Sequence, residues 1–335
     1  LVEDIEDSHN SLQPLMEFGI YDDGILYDNI REKLFYFYHD ENRFDKLKIS
    51  DDDVFEEFHS GDVVPNMNAE EFSEIVNKAK KYIHDGDIFQ AVLSRKFPVG
   101  VRGDNLTLYK TLRELNPSPY MYHLKQDKKT IIGASPEMLV RITGDKVETF
   151  PIAGTRKITD DEAKNKELSE ELIHDEKELA EHTMLVDLGR NDIGRVCQYG
   201  TVHPESLMQI KRFSHVQHIV SHIVGTLSPE KDMFDAFQAV FPAGTVSGAP
   251  KVRAMEIIDE LETEARGPYA GAVGYFSDNG CCDFAIAIRS IFINEDKGFV
   301  QSGAGIVSDS VAENEFKETE HKAGAMLQAL KDASK

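Results

Sequence analysis

Two pairs of glutamates have the spacing that places both carboxylates of a pair on one face of a helix. Glu178 and Glu181 form the first pair, and Glu315 and Glu318 form the second. A long stretch of chain separates the pairs, so only the fold can bring them together. Carboxylate oxygens are the ligands that hard divalent cations prefer, and Mg²⁺ is the expected ion. The alternative is an ordinary solvated helix surface, because the chain is rich in glutamate.

A segment of small residues, 241–251, has the composition of an anion-binding turn. Its backbone N–H groups are open and it leads into a predicted helix, an arrangement that suits a carboxylate or a phosphate. It is not a Walker loop, because Pro250 interrupts the Gly-Lys-Ser/Thr ending. Gly303, Ala304 and Gly305 form a similar segment. A tight structural turn is the alternative interpretation.

Arg289 is a candidate carboxylate-binding residue on a predicted strand. Alternation over residues 283–291 places Ala285 and Ala287 on the same face as Arg289. Two small residues leave room for a ligand beside the guanidinium, which donates hydrogen bonds in a bidentate geometry. The alternative is a surface strand whose arginine forms a salt bridge.

Glu137 and three histidines are the candidate acid–base groups. Glu137 follows a turn, where a carboxyl serves either as a proton donor or as a cap. His215, His218 and His222 share one face of a predicted helix, and one of them is a candidate acid or base. Zinc is a distant alternative, because no His-Glu-x-x-His or Cys-x-x-Cys motif supports it.

The elements that must position these residues alternate irregularly between helices and strands. This alternation, with its hairpins, predicts an α+β fold and not a simple doubly wound sheet. The predicted helices begin after Asn68 and cover 106–115, 160–188, 216–227, 233–241, 252–264 and 313–331. The predicted strands are 24–27, 33–39, 88–97, 120–125, 129–133, 138–143, 146–150, 282–294 and 298–302, the last two as a hairpin.

Composition excludes several classes of partner. The net charge of −23 over 335 residues argues against DNA or an anionic membrane surface. No apolar run approaches the roughly 20 residues of a membrane span, and we expect no signal peptide. Three cysteines, two of them adjacent, do not make a disulfide framework, so a reducing cytoplasm is expected. Because the chain opens on Leu1 in a polar segment, we also expect an N-terminal segment to precede it.

These residues together resemble the chorismate-utilising enzymes, and within them the large subunit of anthranilate synthase. The resemblance implies an α/β/β/α sandwich with the active site in the cleft between two mainly antiparallel sheets. It implies that residues 66–335 are the chorismate-binding catalytic domain and that residues 1–65 are the truncated remnant of a regulatory region. The resemblance covers 72–330 and rests on the blocks 88–95, 116–121, 133–137, 151–156, 181–192, 241–251, 266–275, 301–307 and 315–321.

Three positions favour the anthranilate synthase branch of that family. Isochorismate and salicylate synthases carry a water-activating lysine where this chain has Gln90, and aminodeoxychorismate synthases commonly carry a lysine nucleophile where it has Ala153. Without the lysine base, water is a poor nucleophile and ammonia is favoured. The block 116–121 resembles the feedback site of tryptophan-regulated enzymes, which implies tryptophan as an inhibitor. The implied feedback residues are Asn116, Pro117, Ser118, Tyr120 and Met121.

The resemblance also implies a role for each candidate residue. Mg²⁺ on Glu181 and Glu318, with Glu178 and Glu315 in support, binds the ring carboxylate of chorismate. Glu137 protonates the departing C4 hydroxyl, and His218 acts in the loss of pyruvate. The enolpyruvyl carboxylate is held by Arg289, Tyr275 and the backbone of Gly303, Ala304 and Gly305, while Gly154, Thr155, Thr245 and Gln90 line the reacting centre.

The partners follow from the same resemblance. A glutamine amidotransferase subunit is expected to supply ammonia from a separate chain, because this sequence has no Gly-x-Cys-x-Gly nucleophile turn. The nearest alternative function is that of aminodeoxychorismate synthase component I. A non-catalytic subunit of such a complex is the alternative from a different class, and a zinc hydrolase is a third.

Overall fold

A computed structural model describes residue 9 and residues 14–47, 57–213 and 216–335. Within those residues the chain forms two compact units, one in Ser11–Glu56 and the other in Leu1–Asn10 and Glu57–Lys335. The smaller unit contains a hairpin of β1 (Asp23–Asp28) and β2 (Lys33–Tyr38), in which the Tyr36 hydroxyl donates to Asp23 Oδ2 at 2.5 Å. Both strands of this hairpin were predicted from their aromatic content, and the structure confirms them.

The larger unit contains all the candidate site residues. Its helices are α1 (Ala69–Asp85), α2 (Asn105–Leu115), α3 (Glu162–His174), α4 (Glu176–Gly194), α5 (Met233–Val240), α6 (Lys251–Leu261) and α7 (Ala312–Ala333). Its strands are β3 (His59–Ser60), β4 (Gln90–Arg102), β5 (Tyr120–Gln126), β6 (Lys129–Ser135), β7 (Met138–Thr143), β8 (Lys146–Thr149), β9 (Ile152–Lys157), β10 (His203–Arg212), β11 (Val216–Thr226), β12 (Gly248–Ala249), β13 (Ala272–Phe276), β14 (Cys282–Ile286), β15 (Ser290–Asn294) and β16 (Lys297–Ile306).

The strands of the larger unit form two seven-stranded sheets. The first has the order β10-β11-β8-β7-β14-β13, with β9 also paired to β11, and the second has the order β12-β4-β16-β15-β6-β5, with β3 paired to β4. Every strand pair within the described residues is antiparallel. Helices α3, α4 and α5 contact the first sheet, and α1, α2, α6 and α7 contact the second. The predicted α+β sandwich of helices and antiparallel sheets is therefore confirmed.

Three apolar clusters hold these layers together. One cluster packs residues of both sheets against each other, for example Val140 and Phe284 of the first sheet with Phe292 of the second. A second lies between the second sheet and α2 and α7, and a third lies between that sheet and α1 and α6. The cores fix the positions of α4 and α7, which carry the two glutamate pairs.

Helix α1 shows how local sequence sets an element boundary. The Asn68 side chain accepts hydrogen bonds from the N–H groups of Glu70 and Glu71, and Glu71 Oε2 accepts one from the Asn68 N–H at 2.8 Å. This capping box satisfies backbone donors that the first turn leaves free. Gly86 ends the helix with a φ of 86°, the left-handed conformation that glycine adopts without strain.

Replacing Asn68 by alanine is expected to destabilise the folded chain by about 1 kcal/mol, because the free helix donors lose their acceptor. Urea denaturation of the variant measures the loss. Asn77→Ala is the matched control, because Asn77 lies exposed in the same helix and caps no terminus. Equal losses in the two variants would contradict the role given to the cap.

Two sequence predictions are wrong. Residues 216–227 were predicted as a helix, but the structure forms β11 there, between β10 and β8 and beside β9. A strand covered on both faces loses the alternation of apolar and polar residues by which strands are recognised. Residues 282–294 are not one strand, because the chain leaves the first sheet after β14 and enters the second at β15. The break lies at Arg289, whose φ of 52° does not fit a strand.

The predicted helical region 160–188 is divided in two. Asp175 ends α3 and its carboxylate caps α4, accepting from the N–H of Lys177 and Glu178. Strand β3 pairs with β4, so residues 59–60 pack with the larger unit, while the assignment of residues 1–65 to a regulatory region stays a prediction. None of the helices in the described ranges has the length and apolar character that crossing a bilayer requires.

Candidate active site

The two glutamate pairs meet although they lie far apart in the chain. Helix α4 carries Glu178 and Glu181, and α7 carries Glu315 and Glu318. Burial raises the pKa of Glu181, and the negative charges of Glu178 and Glu318 raise it further. Burial also raises the pKa of Glu315, again with a contribution from Glu318. The charge of Glu318 thus acts on both Glu181 and Glu315, and the four residues are called the acidic cluster.

Two cations neutralise part of this acidic cluster. Lys322 Nζ lies 2.6 Å from Glu318 Oε1 and donates to the Gly303 carbonyl at 3.0 Å. Arg156 Nη1 lies 3.2 Å from Glu178 Oε1. Sequence reasoning missed both cations, although Lys322 follows Glu318 at the i,i+4 spacing of a helical ion pair. The cluster is thus already balanced in part by the protein's own positive charges.

The donors of the acidic cluster are chemically suited to a hard cation, but their present arrangement is not a closed metal site. Among the described residues, no three His, Cys, Asp or Glu side chains converge closely enough to hold an ion. Mg²⁺ nevertheless prefers oxygen ligands, and the two helices supply carboxylate oxygens. A divalent ion would also relieve the repulsion between the negative charges of these carboxylates. The residues fit the ion by donor type, and the metal assignment stays a prediction.

Gln90 lies beside the acidic cluster at the start of β4. Its side chain is buried, and Nε2 donates to Glu181 Oε1 at 3.3 Å, while Oε1 has no hydrogen-bond partner. A Cβ on Gly305 would lie 2.4 Å from Gln90 Nε2, so only glycine leaves room for this contact. The amide of Gln90 therefore offers a free buried acceptor next to the acids.

Glu137 is the candidate proton donor, and its environment supports that role. It lies between β6 and β7 and is buried, with a relative exposure of 8%. Burial raises the pKa of Glu137 to about 7, although Thr245, Lys322 and Arg289 each act to lower it. A carboxyl with this pKa is substantially protonated near neutral pH and can give its proton to a leaving group.

His218 lies on β11 with one ring nitrogen fixed by the backbone of β9. Its Nδ1 is 2.8 Å from the Gly154 carbonyl and 3.1 Å from Thr155 Oγ1. A carbonyl oxygen only accepts, so Nδ1 carries the proton and Nε2 keeps its lone pair. Burial lowers the pKa of His218, which keeps the ring neutral and able to act as a base.

The three histidines do not form a shared site. His222 binds Glu148 Oε1 through Nε2 at 2.9 Å and Glu205 Oε2 through Nδ1 at 2.8 Å. The helical face on which they were placed does not exist, because His218 and His222 lie on β11. His215 lies outside the described residues. The structure therefore leaves His218 as the histidine beside Gly154 and Thr155.

Arg289 reaches the acidic cluster and the proton donor together. Burial lowers the pKa of its guanidinium, and the nearby Tyr269, Glu318 and Glu137 act in the opposite direction. Arg289 Nη1 donates to the carbonyl of Lys322 at 2.9 Å, which joins the β14–β15 connection to α7. The expected face with Ala285 and Ala287 was wrong, because the strand breaks at this residue, and the binding of a substrate carboxylate by Arg289 stays a prediction.

Tyr269, and not the predicted Tyr275, lies beside Arg289. A Cβ on Gly303 would lie 2.9 Å from Tyr269 Oη, so this buried tyrosine also adjoins the 303–305 segment. Tyr275 is 59% exposed on β13 and lies with Asp283, apart from the acidic cluster. Both tyrosines belong to one glycine-rich stretch, and only the fold distinguishes the one that turns inward.

The predicted feedback residues lie along α2 and β5. Asn116 is the residue that ends α2, and Ser118 Oγ donates to its carbonyl at 3.3 Å. Tyr120 and Met121 begin β5, and the Tyr120 hydroxyl donates to Asp283 Oδ1 of the first sheet at 2.8 Å. This segment joins the two sheets, and its role in binding tryptophan stays a prediction.

The site thus contains a buried carboxyl of raised pKa, acidic side chains on two helices and a histidine whose ring is held by the backbone. The family model for chorismate binding enzymes matches residues 2–328, and the chain belongs to that family. It is 55% identical over 271 residues to anthranilate synthase component 1 of Acetivibrio thermocellus, which covers 81% of this chain and 55% of that protein. It is 48% identical over 331 residues to the protein of the same name from Methanothermobacter marburgensis, covering 96% of this chain and 70% of that one.

A solved structure gives the same result. The crystal structure of anthranilate synthase component I from Streptococcus pneumoniae matches with a TM-score of 0.85 and 40% identity, covering 96% of this chain and 75% of that one. The chain spans about half to three quarters of the length of the curated relatives it matches, 55% and 70% for the two above.

Proposed function

We propose that this chain is the chorismate-converting component of an anthranilate synthase. The overall reaction joins chorismate and ammonia and releases anthranilate, pyruvate and water. The observation that carries the proposal is the position of Arg289, whose charge acts on both the buried Glu137 and Glu318, and Glu318 in turn acts on Glu181 of α4. The similarity to several proteins named anthranilate synthase component 1 supports the same assignment.

The residues divide the work of holding the substrate. Arg289 donates hydrogen bonds to the enolpyruvyl carboxylate, together with the backbone of Gly303, Ala304 and Gly305. Lys322 links the two, because its carbonyl accepts from Arg289 and its Nζ donates to the Gly303 carbonyl. Tyr269 also adjoins Gly303. Glu181 and Glu318, supported by Glu178 and Glu315, would hold Mg²⁺. When bound, that ion would supply positive charge for the ring carboxylate of chorismate. Fixing both carboxylates of the substrate sets the position of the ring between Glu137 and His218.

The proton transfers fall to Glu137 and His218. Glu137 gives its proton to the C4 hydroxyl, which leaves as water while ammonia forms its bond to C2, and the new ammonium group then loses one proton to solvent. Thr245 lies next to Glu137 and lowers its pKa, which helps the carboxylate after transfer. The neutral Nε2 of His218 then accepts the C2 proton as the C3–O bond breaks and the ring becomes aromatic, and the enolate that leaves takes up one proton to become pyruvate.

Gln90 sets the choice of nucleophile in this proposal. Its free buried Oε1 can accept a hydrogen bond from ammonia, and an amide cannot deprotonate water. The buried Ala153 on β9 likewise offers no amine nucleophile to the substrate. Both residues favour free ammonia as the reactant, supplied by a glutamine amidotransferase subunit.

Replacing Gln90 by lysine is expected to lower anthranilate formation at least about tenfold and to produce some isochorismate. The lysine amine would lie beside Glu181 and would activate water as a base. Water would then compete with ammonia for C2 of chorismate. Chromatography of the products measures both compounds. Gln90→Met is the control, because it removes the amide without adding a base, and isochorismate from that control would contradict the argument.

We also propose that the chain is regulated by tryptophan and works in the cytoplasm. Tryptophan binding to Asn116, Pro117, Ser118, Tyr120 and Met121 would make the chain feedback-regulated. All three cysteines are free thiols, which supports a reducing cytoplasm.

The test of the proposed function is the position of the amino group in the product. Purified chain is incubated with chorismate, Mg²⁺ and ammonium at mildly alkaline pH, and the products are separated by chromatography. Ortho-aminobenzoate with an equal amount of pyruvate is the expected result. Accumulation of 4-amino-4-deoxychorismate, the precursor of the para isomer, would show an aminodeoxychorismate synthase, and no turnover would favour a non-catalytic subunit.

A further inference from the structure

We propose that Asp192 and the small cavity it shares with Glu137 form the route by which Glu137 regains its proton from solvent. The inference rests on the proposed function, in which Glu137 gives up one proton in each turnover. Glu137 is only 8% exposed, so little of it is in contact with bulk water. The enzyme therefore needs a path for the proton, and the cavity is the candidate.

The geometry of the cavity supports such a path. It has a volume of about 40 Å³, and its walls include Glu137 and Thr245 as well as Asp192 of α4. That volume has room for about three water molecules, at 10–15 Å³ for each. Much of the remaining wall is apolar, with Pro151, Leu185 and Val240 among its residues, and apolar walls leave water few other partners.

Asp192 connects the cavity to the outside. Its side chain is 14% exposed, so it retains contact with solvent, and Lys251 Nζ lies 2.8 Å from its Oδ2. Lys251 also donates to the Val240 carbonyl at 3.0 Å. Burial raises the pKa of Asp192 to about 6, and the positive charges of Lys251 and Arg195 act to lower it. A carboxyl with this pKa exchanges protons readily with water near neutral pH.

The two carboxyls are matched for proton exchange. Thr245, Lys322 and Arg289 face Glu137, and together with its burial they leave its pKa at about 7, close to that of Asp192. The protonated Asp192 gives a proton to the cavity water, which passes one to the Glu137 carboxylate. Asp192 then takes another proton from solvent. No bond between heavy atoms changes, and no other reactant is needed.

The first test fills the cavity without touching either carboxyl. A Cβ on Gly189 of α4 would lie 3.1 Å from Ile223 Cδ1 and 3.5 Å from Pro151 and Thr149, the last two being residues of the cavity wall. Gly189→Ala is therefore expected to lower kcat about tenfold and to raise the solvent deuterium isotope effect on kcat. Gly194→Ala is the matched control, because it lies on the same helix and its Cβ would meet nothing within 4 Å.

The second test removes the exchanging group. The double variant Asp192→Asn, Lys251→Gln removes both charges of the pair, so neither is left buried without its partner. We expect the same loss in kcat and the same rise in isotope effect, with an unchanged KM for chorismate. Asp187→Asn is the control, because Asp187 is an exposed acid of the same helix. Circular dichroism and the Tm check that each variant is folded.

The outcomes are distinct. Reduced kcat with a larger isotope effect in Gly189→Ala and in the double variant, but in neither control, supports the proton route. Wild-type kcat and isotope effect in either folded test variant overturn it. A raised KM for ammonia with wild-type kcat at saturating ammonia also overturns it, because the cavity would then carry ammonia. A wild-type chain that makes no anthranilate overturns the proposed function itself and, with it, this inference.

Discussion

Replacing Glu137 by glutamine is expected to lower the rate of anthranilate formation by at least about a hundredfold, because the leaving hydroxyl loses its proton donor. The amide keeps the size of the side chain, so chorismate binding should change little. Rates at saturating chorismate and ammonium measure the loss. In the wild type, kcat/KM should fall as pH rises through the Glu137 pKa of about 7, and this limb should be absent from the variant.

The same substitution is expected to stabilise the fold. The pKa of Glu137 is about 7 in the folded chain and near its ordinary 4.5 in the unfolded one. Because the pKa is higher in the folded chain, the protonated carboxyl stabilises the fold at pH values below 4.5. This contribution to stability is lost as the pH rises from 4.5 to about 7, so above pH 7 the buried charge destabilises the fold. The difference between the folded and unfolded pKa corresponds to a loss of at most roughly 3 kcal/mol in the free energy of unfolding.

Urea denaturation at several pH values tests this. Glu137→Gln should be more stable than the wild type at about pH 8, and the difference should shrink towards pH 5. Glu176→Gln is the control, because Glu176 is an exposed acid in the first turn of α4. A destabilised Glu137 variant at every pH would mean that the carboxyl is held by partners of its charged form.

Replacing Glu181 or Glu318 by glutamine is expected to lower Mg²⁺-dependent turnover by at least about a hundredfold. An amide oxygen is a neutral and weaker ligand for a hard cation, so a higher Mg²⁺ concentration should recover only part of the rate. The fold should not be harmed, because burial and like charges already raise the pKa of Glu181. The Mg²⁺ dependence of the rate is measured for each variant beside its Tm.

Matched controls for these two variants lie on the same helices. Glu176 of α4 and Glu313 of α7 are exposed acids of the first turns, and neither is predicted to bind the ion. Glu176→Gln and Glu313→Gln should keep wild-type activity and Mg²⁺ dependence. Full activity in Glu181→Gln and Glu318→Gln would show that these glutamates are ordinary residues of the helix surface and do not bind the ion.

The sequence predicted the parts of the fold that local patterns determine. Helix α1 was predicted from its Asn68 cap and its apolar spacing, and α7 from its long amphipathic pattern. Strand β11 was missed because its neighbours bury both of its faces, which removes the period of two. Strands β9, β10 and β13 were not predicted, since glycine and polar residues weaken their local preference for strands.

The sequence indicated which residues belong to the candidate site, but not the contacts between them. The glutamate pairs, Glu137, Gln90, His218 and Arg289 were all proposed from residue type and resemblance. Their partners were not: Arg156 reaches Glu178 only after α4 and β9 are folded, whereas the i,i+4 spacing of Glu318 and Lys322 indicated that pair and was missed. Tyr275 was chosen over Tyr269 for the same reason, because the direction of a side chain in a glycine-rich stretch depends on tertiary packing.

The most direct test of the account is a Mg²⁺ titration of anthranilate fluorescence. The wild-type chain is freed of metal with a chelator and given chorismate and ammonium, and Mg²⁺ is then added in steps. The account predicts no fluorescence before Mg²⁺ and a saturable rise with it, shifted to much higher Mg²⁺ in Glu318→Gln. An equal rate of anthranilate formation with chelator and with Mg²⁺ would contradict it.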